Sequence, residues 1–283
     1  MSLCFFCTDL HGHTDRYNKL ADRIREQKPE LVLLGGDLLP HGFAIKENID
    51  DFFNDFLLPS FSRLMKEMGR NYPQVCLILG NDDARINESD FMDAEQKGVW
   101  HYIHQKHFSF GKNIIIGYAY IPPTPFRLKD WERYDVSRYT DPGCIHPLDG
   151  EFSVAPPEKD IEYQTMEQDL ARLTARTDPK KLIMLFHSPP YQTKLDRAAL
   201  DGMKVEHVPL DVHVGSIAIK RFIEEKQPLI TLHGHIHESS SITGQWHEFI
   251  GDTLAVNGSW DGQELSLVSF DPDRPGSIMR ELI

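Results

Sequence analysis

The chain has few cysteines and no long hydrophobic run. Only four of its 283 residues are cysteines, which is too few for a disulfide scaffold in a chain of this size. Cys4 and Cys7 match a CxxC spacing, but redox pairs of this kind open a helix, whereas these two lie in an apolar run typical of a buried strand. No apolar stretch approaches the ~20 residues that span a bilayer, and the first apolar run lacks the basic flank of a signal peptide. We therefore expect a cytoplasmic protein that does not cross a membrane.

Positive charge is also scarce. The 30 Lys and Arg residues are outnumbered by 43 Asp and Glu residues, so the formal net charge is -13. Binding to a nucleic-acid backbone requires clustered Lys or Arg, and the sequence contains no basic block. The composition therefore argues against a nucleic-acid polymer as a partner and leaves small ligands open.

Five short segments place polar side chains directly after apolar runs. The runs cover residues 3–8, 31–35, 75–79, 182–186 and 229–232, and each is typical of a buried strand. The polar side chains that follow them are Asp9, His11, Asp37, Asn81, His187, His235 and His237. In open α/β sheets, ligands usually bind in the crevice beyond the carboxyl ends of the strands. The pattern predicts that these side chains converge at one such edge.

The donor types indicate which ions such an edge would hold. Carboxylate, imidazole and amide donors without a thiolate suit Mn²⁺, Fe, Zn²⁺ or Mg²⁺ in a catalytic role, and they exclude a cysteine-rich structural zinc site. Two catalytic ions lie roughly 3.5–4 Å apart, so one carboxylate must offer an oxygen to each. Asp37, which follows the turn Gly35-Gly36, is the candidate bridge. A lone HxH or GD is common by chance, so the prediction depends on all five segments occurring together.

In this order the segments resemble the signature of the calcineurin-like metallophosphoesterase superfamily: DxH, GD, GNH followed by an acid, a lone His after an apolar strand, and GHxH. The resemblance implies an α/β fold, a four-layer αββα sandwich of two stacked mixed sheets flanked by helices, with a dinuclear metal site at the strand C-terminal ends. The implied ligands of one metal are Asp9, His11, Asp37 and His237, and those of the other are Asp37, Asn81, His187 and His235.

A closer likeness involves four segments, two of which begin at a histidine of the metal signature. These are residues 187–191, 195–196, 213–216 and 235–238, which resemble a subgroup of small predicted phosphoesterases related to bacterial cyclic-nucleotide phosphodiesterases. Residues 256–259 resemble the late Asn-x-Gly-Ser turn of the superfamily as a whole. The resemblance implies hydrolysis of a small phosphomonoester or phosphodiester, with a hydroxide held between the two cations as the nucleophile. The alternatives are a metal-bound interaction scaffold that has lost catalysis, and a nuclease. A Ser or Cys covalent phosphatase is disfavoured because no nucleophile with its own base is visible.

The chain departs from the family at Asp82, which stands where the family has a histidine that neutralises the leaving group. A carboxylate beside two cations should be ionised and therefore a poor proton donor. A catalytic role for Asp82 and a role in orienting Asn81 both stay open. Asn81, Arg85 and His213 are candidate substrate contacts. His213 either binds phosphate or donates a proton, beside a helix N-terminus capped by Ser216, or it is a loop histidine bonded locally.

Two long segments lack a regular period, residues 122–160 and 189–215, and we expect them to be insertions in a single domain of residues 1–283. The first segment either caps the metal site with arginines that bind phosphate oxygens or forms a surface loop whose arginines pair with nearby carboxylates. The surface loop is favoured. The arginines are Arg127, Arg133 and Arg138, and the carboxylates are Asp130, Glu132 and Asp135.

The remaining periodicity predicts ordinary core elements. A helix capped by Thr14 ends before Pro29, a second helical pattern over residues 52–68 contains Pro59, and a third covers residues 163–177. Later strands are predicted at residues 114–120, 248–257, 265–270 and 277–282. His101, His104 and His107 are expected to be solvated or packing side chains.

Overall fold

A computed structural model describes residues 2–40 and 49–283 of the chain. The strands are β1 (Cys4–Cys7), β2 (Leu31–Gly35), β3 (Gln74–Ile78), β4 (His101–Tyr102), β5 (His107–Phe110), β6 (Asn113–Tyr118), β7 (Leu182–Phe186), β8 (Lys204–Val205), β9 (Val208–Pro209), β10 (Ile230–His233), β11 (His247–Ile250), β12 (Thr253–Asn257), β13 (Ser266–Phe270) and β14 (Met279–Leu282). The α-helices are α1 (Thr14–Gln27), α2 (Leu58–Met68), α3 (Glu88–Gln96), α4 (Glu158–Tyr163), α5 (Met166–Thr174), α6 (Ile217–Lys226) and α7 (Ser239–Thr243).

Two six-stranded mixed sheets form the centre of the fold. Their strand orders are β14-β13-β1-β2-β3-β4 and β11-β12-β10-β7-β6-β5. In the first sheet β1 to β4 are parallel, β13 is antiparallel to β1, and β14 is antiparallel to β13. In the second sheet β12, β10, β7 and β6 are parallel, and the edge strands β11 and β5 are antiparallel to their neighbours β12 and β6. The predicted α/β sandwich of two mixed sheets flanked by helices is confirmed.

The strands that precede the polar segments are buried along their whole length, apart from the first residue of β3. Strands buried on both faces are apolar throughout, as parallel strands covered by helices require. Because these five strands are parallel within their own sheets, their carboxyl ends lie at a common edge of each sheet. The fold therefore delivers the polar segments to one rim.

Several predicted boundaries were wrong, each for a local reason. The helix predicted over residues 163–177 is two helices, because Thr165 is extended and forms a capping box with Gln168 that begins α5. Thr14 is the first helical residue rather than the cap, since His13 holds that position. The predicted strand over residues 248–257 folds back at Gly251 into β11 and β12.

The interruption predicted at Pro59 takes the form of a π-helical turn, Phe53–Leu57, which leads directly into α2. Proline is tolerated in the first turn of α2, where its missing N–H has no helical partner.

Cys4 and Cys7 are buried in β1, and burial raises the pKa of both thiols. A raised pKa opposes thiolate formation, so this CxxC lacks the chemistry of a redox pair. Across residues 2–40 and 49–283, no helix is long and apolar enough to span a membrane.

Candidate metal centre

The loops after the parallel strands turn sharply before they present their side chains. Asp9, His11, Asp37 and His235 all have positive φ angles, 56°, 45°, 51° and 72°. This region is costly for residues other than glycine and persists only where neighbouring contacts fix it. Two such contacts are backbone hydrogen bonds from Asp9 N to Gly36 O (3.0 Å) and from His11 N to Asp37 O (2.8 Å). The loops after β1 and β2 therefore hold each other in the strained conformation.

One cluster of potential ligands consists of Asp9, His11, Asp37 and His237, whose donor atoms all lie within 4.8 Å of one another. The Nε2 atoms of His11 and His237 are 3.2 Å apart, and His237 Nε2 is 3.2 Å from Asp9 Oδ1. Two imidazole nitrogens and two carboxylates this close present more lone pairs than protons, which is the arrangement a cation would satisfy.

A second cluster contains Asp37, His187 and His235, again within 4.8 Å. His187 Nε2 lies 3.3 Å from Asp37 Oδ2 and 3.0 Å from Asn81 Oδ1. His187 Nδ1 donates a 2.8 Å hydrogen bond to Gly35 O, which turns Nε2 toward the cluster. Asp37 is common to both clusters, and Asn81 contacts His187. All seven predicted side chains therefore lie at one rim, and the carboxylate of Asp37 lies between the two clusters.

The electrostatics of the metal-free rim are those of crowded, mutually dependent charges. Burial opposes the charge on His187, but Asp37 and Asp9 outweigh it and raise the pKa of His187 to about 10. Burial likewise opposes the charge on Asp37, but His187 and His11 lower its pKa to about 2. Burial and the neighbouring His187 lower the pKa of His235 to about 3, so this imidazole keeps a free lone pair. A shared carboxylate, imidazoles that have lost their extra proton and an amide oxygen would fit Mn²⁺, Fe, Zn²⁺ or Mg²⁺.

Asp83, which the sequence analysis did not single out as a site residue, ties two ligand loops together. Its fully buried carboxylate accepts hydrogen bonds from Leu38 N (3.0 Å), Leu39 N (2.8 Å) and Gly80 N (2.9 Å). The first two donors follow Asp37, and the third precedes Asn81. Burial and the charge of Asp37 raise the pKa of Asp83 to about 7.

Ser259 supports the site from the late turn that resembles the family's Asn-x-Gly-Ser. Its hydroxyl donates a 2.5 Å hydrogen bond to Asp9 Oδ2, and its backbone N–H donates to Asn257 Oδ1 at 2.8 Å. Gly80 is required for a different reason: an added Cβ would lie 2.3 Å from Asp37 Oδ1 and 2.7 Å from His187 Cε1. The side chains of the rim are therefore packed against backbone that cannot move away.

Asp82 lies at the edge of the first cluster. Its Oδ1 accepts a 2.9 Å hydrogen bond from Asn81 Nδ2, its Oδ2 is 3.8 Å from His11 Nδ1, and its N–H donates to Asp37 Oδ1 at 2.8 Å. The contact with Asn81 is the one expected of an orienting residue. Its partial exposure, 20%, is what a direct role would require.

Arg85 does not join either cluster. Its Nε donates to Glu88 Oε2 at 3.2 Å, its Nη1 donates to Tyr120 OH at 3.3 Å, and the guanidinium lies 5.0 Å from the Trp131 ring centroid. These contacts hold the guanidinium against the protein, so its predicted substrate contact stays a prediction.

His213 is also outside the two clusters, and its Nδ1 lies 2.8 Å from Asp196 Oδ1. Ser216 caps α6 as predicted, its hydroxyl accepting from Ile219 N. The N-terminus of this helix is not open to a phosphate group. Asp135 already occupies it, accepting from Ile217 N at 2.6 Å and Ala218 N at 3.1 Å.

The arginines of residues 122–160 are paired, but not with the predicted carboxylates. Their acidic partners are Glu151 for Arg127, Asp169 for Arg133 and Glu162 for Arg138. The carboxylates expected to pair with them serve other contacts. Asp130 accepts from Arg85 N and Ser153, and Glu132 forms an ion pair with Lys129 at 2.5 Å that is almost wholly buried.

The same segment is joined to the metal rim. Trp131, itself fully buried, donates from Nε1 to Asp83 O at 2.7 Å. Residues 122–160 are therefore anchored beside the loop that carries Asn81, although their arginines are engaged elsewhere.

The three histidines near residue 104 are packing or solvated side chains, as expected. His104 is buried, accepts a hydrogen bond from Ala119 N at 3.0 Å and packs edge-on against Trp131. His101 packs on Phe108, and His107 donates to Leu173 O.

Two stacked mixed sheets with a rim of shared carboxylates and histidines are the features of the metallophosphoesterase class. The sequence profile of the calcineurin-like phosphoesterases matches residues 4–239, and the chain belongs to this family. The resemblance drawn from the ordered motifs is thereby confirmed.

Individual relatives are distant. Over 82 residues, 28% of this chain and 32% of the relative, the sequence is 38% identical to an uncharacterized protein, MJ1162, of Methanocaldococcus jannaschii. The match therefore spans about a third of that relative. The crystal structure of TT1561 from Thermus thermophilus superposes with a TM-score of 0.59 at 14% identity, covering 99% of this chain and 98% of that one. Another solved structure gives the same score at 16% identity. These structures share the fold.

Proposed function

We propose that this protein is a metal-dependent phosphohydrolase that cleaves a small phosphomonoester or phosphodiester. The observation that carries the proposal is the position of Asp37, whose carboxylate belongs to both donor clusters. A single shared carboxylate is what two adjacent metal ions require. Family membership supports the same reaction class.

The residues assigned to hold the ions would be Asp9, His11, Asp37 and His237 for one, and Asp37, Asn81, His187 and His235 for the other. Bound ions would supply positive charge that activates water and stabilises the charge on the phosphoryl oxygens. The protein contributes the geometry. Gly35 fixes the orientation of His187, and Asp83 fixes the loops of Asp37 and Asn81.

Charge favours a small substrate. The chain carries a net charge of -13, so a long polyanion would meet repulsion outside the rim, whereas one phosphoester group can lie against the ions alone. The negative charge therefore makes a nuclease only the second candidate. An interaction scaffold is the other alternative, and the presence of all seven predicted side chains at one rim opposes it.

The test is hydrolysis of p-nitrophenyl phosphate and bis-p-nitrophenyl phosphate by protein treated with EDTA and then given Mn²⁺, Fe²⁺, Zn²⁺ or Mg²⁺. We expect activity only after metal is restored, close to two ions per chain, and a preference between the two esters that separates monoesterase from diesterase. Asp37→Asn should lower metal content at both positions, whereas His235→Ala should mainly empty one. His101→Ala, which alters a histidine outside the clusters, is the matched control.

Full activity in EDTA, or Asp37→Asn with unchanged metal content and rate, would refute the two-metal assignment. Stable binding of two ions without hydrolysis of either ester would favour the scaffold.

A further inference from the structure

We propose that His213 donates a proton to the leaving group of the phosphoester and that Asp196 is the positioning residue that orients it. The inference rests on the proposed function and adds the acid that the rim lacks, since position 82 holds a carboxylate instead of an imidazole.

Asp196 is built into the protein as a fixed acceptor. Its side chain is fully buried, and its oxygens accept hydrogen bonds from Gln192 N (2.9 Å), Thr193 N (3.0 Å) and Gly215 N (3.2 Å). Three backbone donors hold the carboxylate in one orientation. The loop is equally constrained at Gly215, where an added Cβ would lie 2.7 Å from Pro189 O and 2.8 Å from Asp196 Cβ.

The fourth partner of this carboxylate is His213, whose Nδ1 lies 2.8 Å from Asp196 Oδ1. Because the ionised carboxylate only accepts, Nδ1 carries the proton in this contact. Nε2 is left as the second ring nitrogen, and within residues 2–40 and 49–283 it has no hydrogen-bond partner. The His213 side chain is 29% exposed, while Asp196 is inaccessible. A buried carboxylate behind a partly exposed imidazole is the arrangement that fixes the ring orientation.

The dyad lies on a segment that is joined to both ligand loops of the rim. Ser216 N donates to Pro189 O at 2.8 Å, two residues after His187. On the other side, Ala199 N donates to Glu238 Oε1 at 3.0 Å, immediately after His237. The segment therefore borders the rim from the β7 loop to the β10 loop.

Asn257 joins the segment of Asp196 to the loop after β10 by further hydrogen bonds. Its Nδ2 donates to both Leu195 O (2.9 Å) and Ile236 O (3.1 Å), which are adjacent to Asp196 and to the two rim histidines respectively. The position of the dyad is thus coupled to the loop that carries His235 and His237.

The proposed step balances. A water oxygen forms the new bond to phosphorus as the bond to the leaving oxygen breaks, and the imidazolium of His213 passes its Nε2 proton to that leaving oxygen. The attacking water loses one proton, and the neutral imidazole regains one from solvent. Three titratable groups lie around His213 on its own segment: Asp196, Asp211 and Tyr191. Arg197 forms a β-bridge with His213, and Asp141 lies near Tyr191.

The experiment compares wild type, His213→Gln and Asp196→Asn on phosphoesters graded by the pKa of the leaving alcohol, from p-nitrophenol to alkyl alcohols, at fixed Mn²⁺. His207→Gln, an exposed histidine on the same segment, is the matched control. We expect His213→Gln to slow alkyl esters by ~10²- to 10⁴-fold and to leave p-nitrophenyl esters almost unchanged, because proton donation matters only for poor leaving groups. The ratio of the alkyl-ester rate to the p-nitrophenyl-ester rate should therefore fall by the same factor, which a loss of folded protein alone would not produce.

A second measurement does not depend on turnover. ¹⁵N spectra of the histidine rings should show the neutral ring of His213 with its proton on Nδ1 in the wild type, and Asp196→Asn should change this tautomer. Metal content should stay at the wild-type level in all variants.

The outcomes separate the two proposals. A wild type inactive on every ester would refute the proposed function itself. An active wild type with an equal loss on all leaving groups in His213→Gln would show a structural role, and no loss would show that the proton comes from elsewhere. If Asp196→Asn fails to fold, the result for His213→Gln still decides.

Discussion

Removing the carboxylate of Asp83 should weaken the fold and the metal centre together. The side chain is fully buried and accepts from three backbone N–H groups, two after Asp37 and one before Asn81. Asp83→Ala leaves all three donors without an acceptor. Asp83→Asn keeps one carbonyl oxygen and places an amide N–H₂ against a donor.

The magnitude follows from the number of donors. An unsatisfied buried donor costs about 1–3 kcal/mol, so three would cost at least about 3 kcal/mol. Water entering the space left by Asp83→Ala would satisfy part of this loss, and we therefore expect a decrease of about 3–5 kcal/mol in the free energy of unfolding. Asp83→Asn should cost about 1–3 kcal/mol. Because the loops of Asp37 and Asn81 lose a common anchor, metal affinity should fall about 10- to 100-fold.

The assay is urea unfolding of the metal-free variants, followed by titration with Mn²⁺ or Zn²⁺. Asp93→Ala, which removes an exposed carboxylate from α3, is the matched control and should change stability by less than ~0.5 kcal/mol. If Asp83→Ala unfolded within that margin of wild type, or lost stability while binding both metals normally, the proposed coupling of the two loops would be refuted.

Two further predictions concern protons at the rim. The pKa of His187 is raised from 6.5 to about 10, so in the metal-free protein its charge contributes stability that is fully present below pH 6.5 and lost as the pH rises through 10. Metal must displace that proton, so the affinity for metal should rise by up to about tenfold per pH unit below pH 10. Calorimetry in buffers of different ionisation enthalpy would measure the proton that is released. A metal affinity that does not change with pH would contradict this prediction. Asp82→His should restore an imidazole beside the rim and selectively speed alkyl esters, by ~10-fold or more in competition assays against p-nitrophenyl esters. An equal change on both would exclude leaving-group protonation from this position.

The five strands that precede the rim were predictable because each is a short apolar run that ends at a polar or glycine-containing loop. Residues 31–35 and 182–186 coincide with β2 and β7, and the bounds of the other three differ by one position. The short strands β4, β5, β8 and β9 were not predicted. Helix boundaries were less accurate where a local hydrogen bond decides them. Thr165 ends one helical pattern and starts another, and the apolar period of Met166, Leu170 and Leu173 carries no sign of that break.

The composition of the rim was also visible in the sequence, because ligand residues lie within a few positions of strand ends and parallel strands end at a common edge. The supporting contacts were not. Asp83 looked like one more acid of a motif, and only the tertiary structure shows that it accepts from both neighbouring loops. Asp135 was assigned to arginine pairing on sequence proximity, whereas it caps α6, more than eighty positions away.

The metal-free rim is arranged at a free-energy cost that metal binding would offset. Four of its residues have positive φ, and His11 and His237 hold their Nε2 atoms only 3.2 Å apart. The positive φ angles are unfavourable in themselves, and the two imidazole nitrogens lie among two carboxylates in a cluster that a cation would satisfy. A cation bound by the folded state and not by the unfolded chain would raise stability by an amount set by its affinity and concentration. The surrounding contacts of Asp83, Ser259 and Gly35 hold the proposed ligands in place, so the protein would preorganise the rim for an ion.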